Sequence, residues 1–496
     1  MAITIVKQPQ QLQPVYNEIV YVLTSTLSTE DNFRFLVEVI IDGNIIATLE
    51  VPVNPEGYGV VDIHKHLQNY ITNDFDPNST TAVFAENSII EYSVKFYEKF
   101  RPVWNYDGIY NIPTPTGGQT LEFYSNNALN DPNDYFNISD TVLVVQTPPF
   151  EVSSYSGLAV VTDMFFDSNQ NTYVLETSKS FTVPLTFPNS GIITLPNQQS
   201  TISDNFASVT GKEAFNGVRN FIDFINWNFN DYNANTILNN GKWLTNAPSP
   251  YKVKLNSYIW LNVYSNVDDL IRSLKVTVNL QDYYFPITQG TNSLIQVPLA
   301  PALLNTLNWE DVNGDEPLVP FNLTPGLCFE VSVTAADRTD VLIQPHTFCV
   351  YESCSKYEDI QLVFMDKLGS FIPFHFDLVN RHNKSIERVN YQTDYGKYAP
   401  AVNNWKYNSY DRGTTVLDTI VTDVFTINSD WVNQETSDFL MTLIESPEVY
   451  WFKENGDVVG INLTVSNIER KQTINDQLVN YTLTFELSNK DKQQIG

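Results

Sequence analysis

Apolar and polar residues alternate with a period of two along most of this chain, the pattern of strands with one buried face. The clearest case is NFRFLVEVIIDGNIIATLEVPV (32–53), where Phe33, Phe35, Val37 and Val39 share one face and Arg34 and Glu38 fall on the other. Asp42-Gly43 tolerates positive φ and predicts a two-residue hairpin turn between two strands. GYGVVDIHKHLQNYI (57–71) predicts a strand running into a short helix, with Ile63, Leu67, Tyr70 and Ile71 at helical spacing. Alternation returns in IIEYSVKFYEKF (89–100).

Residues 105–150 are looser, with IPTPTGG and NDPNDYFN as loop signals. The strand pattern resumes in SGLAVVTDMFFD, TYVLET and KSFTVPLTF, and LPNQQSTISDN reads as a linker near residue 200. A middle series contains YKVKLNSYIWLNVYS, SLKVTVNLQDYYFPI, SLIQVPLA and CFEVSVTAADRTDVLIQPHTFCVYE. A third series opens near Ser355 with IQLVFMD and GSFIPFHFD, where Ile372, Phe374, Phe376 and Leu378 define the buried face and His375 the other. Phe439, Leu440, Leu443 and Ile444 form a helical stripe that Ser429 or Asp430 would cap and Pro447 would close. The expected fold is mainly β: multi-domain antiparallel β-sandwiches with a few short helices. The expected boundaries are 1–200, 201–354 and 355–496, the last with its helix near 433–445.

Composition agrees with that class. Among 496 residues there are 27 Tyr and 30 Phe, and 42% of the chain is hydrophobic, enough for a sizeable core. The net charge of −29 repels phosphate backbones, so wrapping nucleic acid for affinity is excluded, whereas lining a passage through which DNA slides without adhering is not. The first residues, MAITIVKQPQQLQP, do not form a secretory signal. No run approaches the roughly 18 apolar residues of a membrane helix, so no membrane insertion is expected. Three cysteines make no disulfide framework.

Candidate chemistry is sparse. Cys349 and Cys354, with His346, His375 and His382 nearby, miss the paired spacings of zinc sites, and core or surface roles are expected for them. Whether Cys328 and Cys349 touch across neighbouring strands stays open. His64 and His66, two apart on a helix, face different sides. The acidic turns Asp311/Asn313/Asp315 and Asp131/Asn133/Asp134 lack the glycine and glutamate positions of an EF-hand. No nucleophile elbow, phosphate loop or H-E-x-x-H occurs. The residues nominate no catalytic, cofactor-binding or metal site.

Several segments in order resemble tail-associated structural proteins of crAss-like bacteriophages. They include QPVYNEIVYVLTST, NPEGYGVVDIHKHLQNYI, KWLTNAPSPYKVKLNSYIWL, KYEDIQLVFMDKLGSFIPFHFDL, DRGTTVLDTIVTDVFTINSDW and ESPEVYWFKENGDVVGINLTV. The resemblance implies a virion tail protein without enzymatic activity or cofactor, assembled in the host bacterial cytoplasm. Its partners would be copies of itself in a twelvefold or sixfold ring or collar, together with neighbouring tail and portal-proximal proteins. Two alternatives are a receptor- or polysaccharide-binding protein at the tail tip or a fibre, and a tail-borne depolymerase. No repeated shaft supports the first alternative and no motif the second.

Overall fold

Asp42 and Gly43 both adopt positive φ, 49° and 77°. They join the antiparallel strands Arg34–Ile41 and Asn44–Pro52, with Ile41 directly opposite Asn44. Phe35, Val37 and Val39 are buried, as the alternation requires. The computed structural model describes residues 3–101, 103–113, 119–125, 131–147, 155–178, 190–196, 201–234, 241–266, 272–287, 294–335, 337–353, 356–394, 396–464 and 478–489. The fold is mainly β, with antiparallel sheets and a few short helices.

Two compact units divide the chain. The first comprises residues 1–69 and 91–214. It contains the hairpin above within a five-stranded sheet, a three-stranded sheet, and a closed six-stranded barrel running from Val103–Pro113 to Ser190–Thr194. The stretch that reads as loose is barrel wall: Trp104, Tyr106, Phe123, Val142 and Val144 fill the interior. Closure removes the sheet edges that aromatic strands would otherwise expose. Gly191 is required here, because a Cβ would meet the Tyr106 ring and the Val145 carbonyl. The expected helix is one turn, His64–Leu67, continued by a 3-10 turn, with Ile63, Leu67 and Ile71 inward and Tyr70 exposed. Of the expected linker, residues 197–200 lie outside the described residues, and from Thr201 it is instead the start of a strand, Thr201–Phe215, flanked in its sheet by Leu12–Pro14 and Ile89–Phe100. Its polar residues mislead because no described side chain from Ile202 to Ser208 is buried, so this part of the strand shows no apolar face. The KSFTVPLTF segment lies outside the described residues.

The second unit comprises residues 70–90 and 215–496. A five-stranded sheet built around Cys328–Ala335 and Val341–Val350 shares one core with a ten-stranded sheet. The larger sheet mixes strands from both sides of residue 354: Trp260–Tyr264 pairs with Phe371–Phe376, placing Trp260 opposite Phe371. The segments read as separate middle and C-terminal domains therefore share a sheet and a core, whose members include Trp243, Phe329, Phe348, Leu362, Phe364 and Phe485. Cys354 and Ser355 themselves lie outside the described residues. Phe75, from the inserted 70–90 segment, stacks on Phe371 at 4.1 Å and on Tyr450 at 4.8 Å.

The helix Gln434–Glu445 begins later than its flanking sequence suggests. Asn433 caps it, accepting from the Thr436 N–H at 2.9 Å. Ser429 is occupied elsewhere, accepting the Tyr481 N–H at 2.8 Å, and Val432–Asn433 first pairs as a short strand with Leu478–Val479. Phe439, Leu440 and Leu443 are buried.

The turn between strands Ile360–Met365 and Phe371–Phe376 is organised by Asp366, which is 3% exposed. Its carboxyl accepts from the Leu368 and Ser370 N–H groups, both at 2.9 Å, from Asn246 N–H at 3.0 Å and from Thr245 Oγ1 at 2.5 Å. Burial pushes it up to about 6 against the pull of those donors. Asp366→Ala leaves two buried and two half-buried donors without their acceptor and is expected to cost about 3 kcal/mol or more, measured by urea denaturation at pH 7. A loss under 1 kcal/mol would contradict this role.

Candidate functional site

The cysteines and histidines that invite a metal reading are dispersed by the fold. Cys328 and Cys349 stand directly opposite on paired strands and form a disulfide, with S–S at 1.98 Å and Cα atoms 3.9 Å apart. The expectation of core or surface thiols is corrected at these two positions: cross-strand register, invisible in spacing along the chain, brings residues 21 apart together. His346 lies three positions inward along the ladder, opposite Val331, its ring 4.9 Å from Phe348. Burial pushes its imidazole down to about 4, with a hydrogen bond to the Pro248 backbone opposing the shift. His64 pairs with Asp62 at 2.8 Å. No group of three or more His, Cys, Asp or Glu able to hold a metal occurs among the described residues.

The acidic turns use their carboxylates on themselves. Asp311 accepts from the Asn313 N–H at 2.7 Å and the Asp315 N–H at 3.0 Å, and Arg338 binds its carbonyl and the Glu310 carboxylate. Asp131 caps a 3-10 turn through the Asn133 N–H at 2.9 Å. Both are closed Asx turns.

One polar constellation escaped sequence reasoning. His375 Nδ1 lies 2.8 Å from Asp359, and its Nε2 lies 2.7 Å from Ser257 Oγ. Lys254 reaches Asp359 at 3.1 Å and Asp377 at 3.3 Å. Serine, imidazole and carboxylate follow the order of a nucleophilic triad. Two facts argue against that use. Ser257 is fully buried, so a carbonyl cannot reach its Oγ unless the backbone moves, and the same Oγ already accepts the Lys254 N–H at 2.8 Å. The Lys254 ammonium also shares the carboxylate that orients the histidine. Burial raises the Asp359 pKa, but the hydrogen bonds and charges of His375 and Lys254 together outweigh it and hold the carboxyl below its ordinary value. The cluster ties the Lys254–Ser257 turn to the Phe371–Phe376 strand. Its members come from three distant segments, so no local motif could announce it.

Open cavities flank this cluster. One, of about 430 Å3, is lined by Lys254, Tyr351, Glu352, Asp359 and Glu454. Another, of about 380 Å3, meets Tyr251, Tyr351, His375, Asp377 and Trp431.

An extended exposed feature of this unit is a ribbon. Strand Arg381–Gln392 pairs with Thr414–Asn428 from Arg381 opposite Thr426 to Gln392 opposite Thr414, and every residue of the first strand is exposed. At a rise of about 3.3 Å per residue the paired length is roughly 35 Å. Beyond it, Lys397–Ala399 pairs with Asn404–Lys406 around a 3-10 turn ending at Asn403, whose φ is 46°. Gly396, at φ 122°, is needed because a Cβ would collide with the Trp405 ring. Tyr391, Tyr398, Trp405, Tyr407 and Tyr410 are exposed, Tyr410 to 79%. At the base, His382 stacks on Phe425 at 4.3 Å, and Phe425 stacks on Phe485 at 5.1 Å. His382 and Lys384 both engage Asp423, lowering its pKa. The ribbon's first strand is polar on both faces, so alternation of apolar residues could not reveal it.

Lys254→Met is expected to cost about 3 kcal/mol at pH 7 by leaving buried carboxylates without their cation. The deficit should narrow as acid protonates Asp359, whose contribution is present above the ordinary carboxylate range and lost as pH falls through its depressed pKa. Chemical denaturation between pH 7 and 3 checks this, and a deficit independent of pH would contradict it. His346 works at a different pH. The unfolded chain protonates it near pH 6.5 and the folded chain only near 4, so its contribution is present above pH 6.5 and lost towards pH 4. Parent protein should lose about 3 kcal/mol more than His346→Phe between pH 7 and 4, and equal losses would refute it.

No protein-family model matches the chain, and no curated protein matches it. Among solved structures it is similar to one described as "Structural insight into host cell surface retention of a 1.5-MDa bacterial ice-binding adhesin". That match has 10% identity and a TM-score of 0.11, and covers 69% of this chain and 95% of that one. A TM-score this low carries no argument about fold or function.

Proposed function

We propose that this chain is a structural subunit of a bacteriophage tail, assembling with copies of itself and with neighbouring tail proteins as a ring or collar of the DNA-conducting barrel. The observation that carries this reading is the exposed ribbon with its aromatic and cationic side chains, a feature suited to subunit contact and to no reaction. The ordered resemblance of segments across the chain to tail-associated proteins supplies the setting. The −29 charge suits a surface past which DNA moves without adhering. The polar cluster around His375 supports a structural role, since its serine is sealed and its carboxylates are neutralised from within. The Cys328–Cys349 bond suits a particle that spends its free life outside the reducing cell.

Quantitative mass spectrometry of purified particles of the encoding phage tests the assignment. The chain should be present at a copy number equal to the portal's or half of it. Its absence from particles, together with a monomeric state in the presence of other tail proteins, would refute the reading. Clearing of host polysaccharide by the isolated chain would replace it with the depolymerase alternative.

A further inference from the structure

We propose that the 381–413 ribbon docks on the acidic surface of a second copy of the same chain, making the contact between subunits heterologous. This rests on the assembly reading above and names the partner and the element that recognises it.

Three independent observations converge on that occupant. The first is exposure. A two-stranded ribbon is marginal in water unless something covers a face, yet Arg381–Gln392 is exposed throughout and Tyr398, Val402, Tyr407 and Tyr410 remain exposed beyond it. The second is composition. Trp, Tyr and Arg dominate the energetic centres of protein interfaces, and this segment offers Tyr391, Tyr398, Trp405, Tyr407 and Tyr410 beside Arg388 and Arg412. The third is charge. Both strands and the tip, residues 381–428, hold six cations (Arg381, Lys384, Arg388, Lys397, Lys406 and Arg412) against five carboxylates (Glu387, Asp394, Asp411, Asp418 and Asp423), a net +1. With −29 for the whole chain, the remainder carries −30. A cationic ribbon on an anionic protein is complementary to another copy of that protein, and it offsets the repulsion that would otherwise keep copies apart.

The geometry at the base supports a fixed presentation. His382 stacks on Phe425, which stacks on Phe485, and Asp423 holds both His382 and Lys384. The ribbon is thus tied to the core of its own chain at one end and carries its aromatic cluster at the other. Because ribbon and acidic surface are different patches, each subunit donates one and receives on the other. Such a contact closes into a ring when the rotation permits. DNA is the competing occupant, disfavoured by the interleaved carboxylates and by the −30 carried by the rest of the chain.

The test uses the full chain. Sedimentation velocity between about 1 and 100 μM compares parent protein with K397E/K406E/R412E and with Y407S/Y410S, in about 50 mM and about 500 mM NaCl, conditions that bracket strong and weak screening. Parent protein should self-associate at low salt and weaken at least tenfold at high salt. Charge reversal should weaken low-salt association at least tenfold and remove most of its salt dependence. The tyrosine pair should weaken association at both salts. Circular dichroism and unchanged melting of the body establish that each variant is folded. A photo-crosslinking amino acid at position 410 gives an independent readout, expected to join two chains through an acidic peptide. The proposal is overturned by monomers at every concentration, by association that the variants leave unchanged, or by a duplex-DNA mobility shift that charge reversal abolishes. If variants assemble normally and the chain is still found in particles, the ring reading stands and the ribbon contact falls. If association depends on the ribbon but particles lack the chain, the ring reading falls and the contact stands.

Discussion

The paired strands Ile360–Met365 and Phe371–Phe376 are buried on both faces almost throughout, and that constraint governs the unit built around them. A strand with water on one side can place polar residues there at no cost. This one cannot, so each polar group it carries needs a partner from elsewhere in the chain. His375 and Asp377 draw in Lys254, Ser257 and Asp359, while Asp366 at the turn draws in Thr245 and Asn246. Segments separated by more than a hundred residues are thereby fixed in register with one another. The inserted 70–90 segment serves the same core through Phe75.

The same logic separates what looks catalytic from what is structural. Serine, histidine and aspartate in hydrogen-bonded series are also what a buried strand requires when its histidine must be satisfied at both nitrogens. Accessibility distinguishes the cases, and Ser257 has none. The ribbon is the opposite situation: its aromatic and cationic groups stand exposed at the surface and not in a core. Buried polar groups account for the fold, and exposed apolar ones point to what lies outside it.

The parts legible in the sequence were local. Asp42-Gly43 set its turn because only residues tolerant of positive φ fit there, and the alternation from Phe33 to Val39 named the buried face. Phe439, Leu440 and Leu443 marked the helix, although its cap was misplaced because Ser429 pairs with Tyr481 across the sheet. What the sequence concealed was non-local. The strand from Thr201 looked like a linker, the boundary near Ser355 crossed a shared sheet, and Cys328 met Cys349 through register alone. The ribbon was hidden because both faces of its first strand are polar, and the His375 cluster because its members are scattered.

The central claim is that this chain is a building block whose exposed ribbon joins it to its neighbours. Electron cryomicroscopy of intact particles of the phage proposed to encode the chain tests it most directly. The account predicts density for the chain in a closed ring around the tail axis, with residues 381–413 of each subunit resting on the next. Density for the chain only at the distal end of a fibre, or subunits whose ribbons point free into solvent, would contradict it.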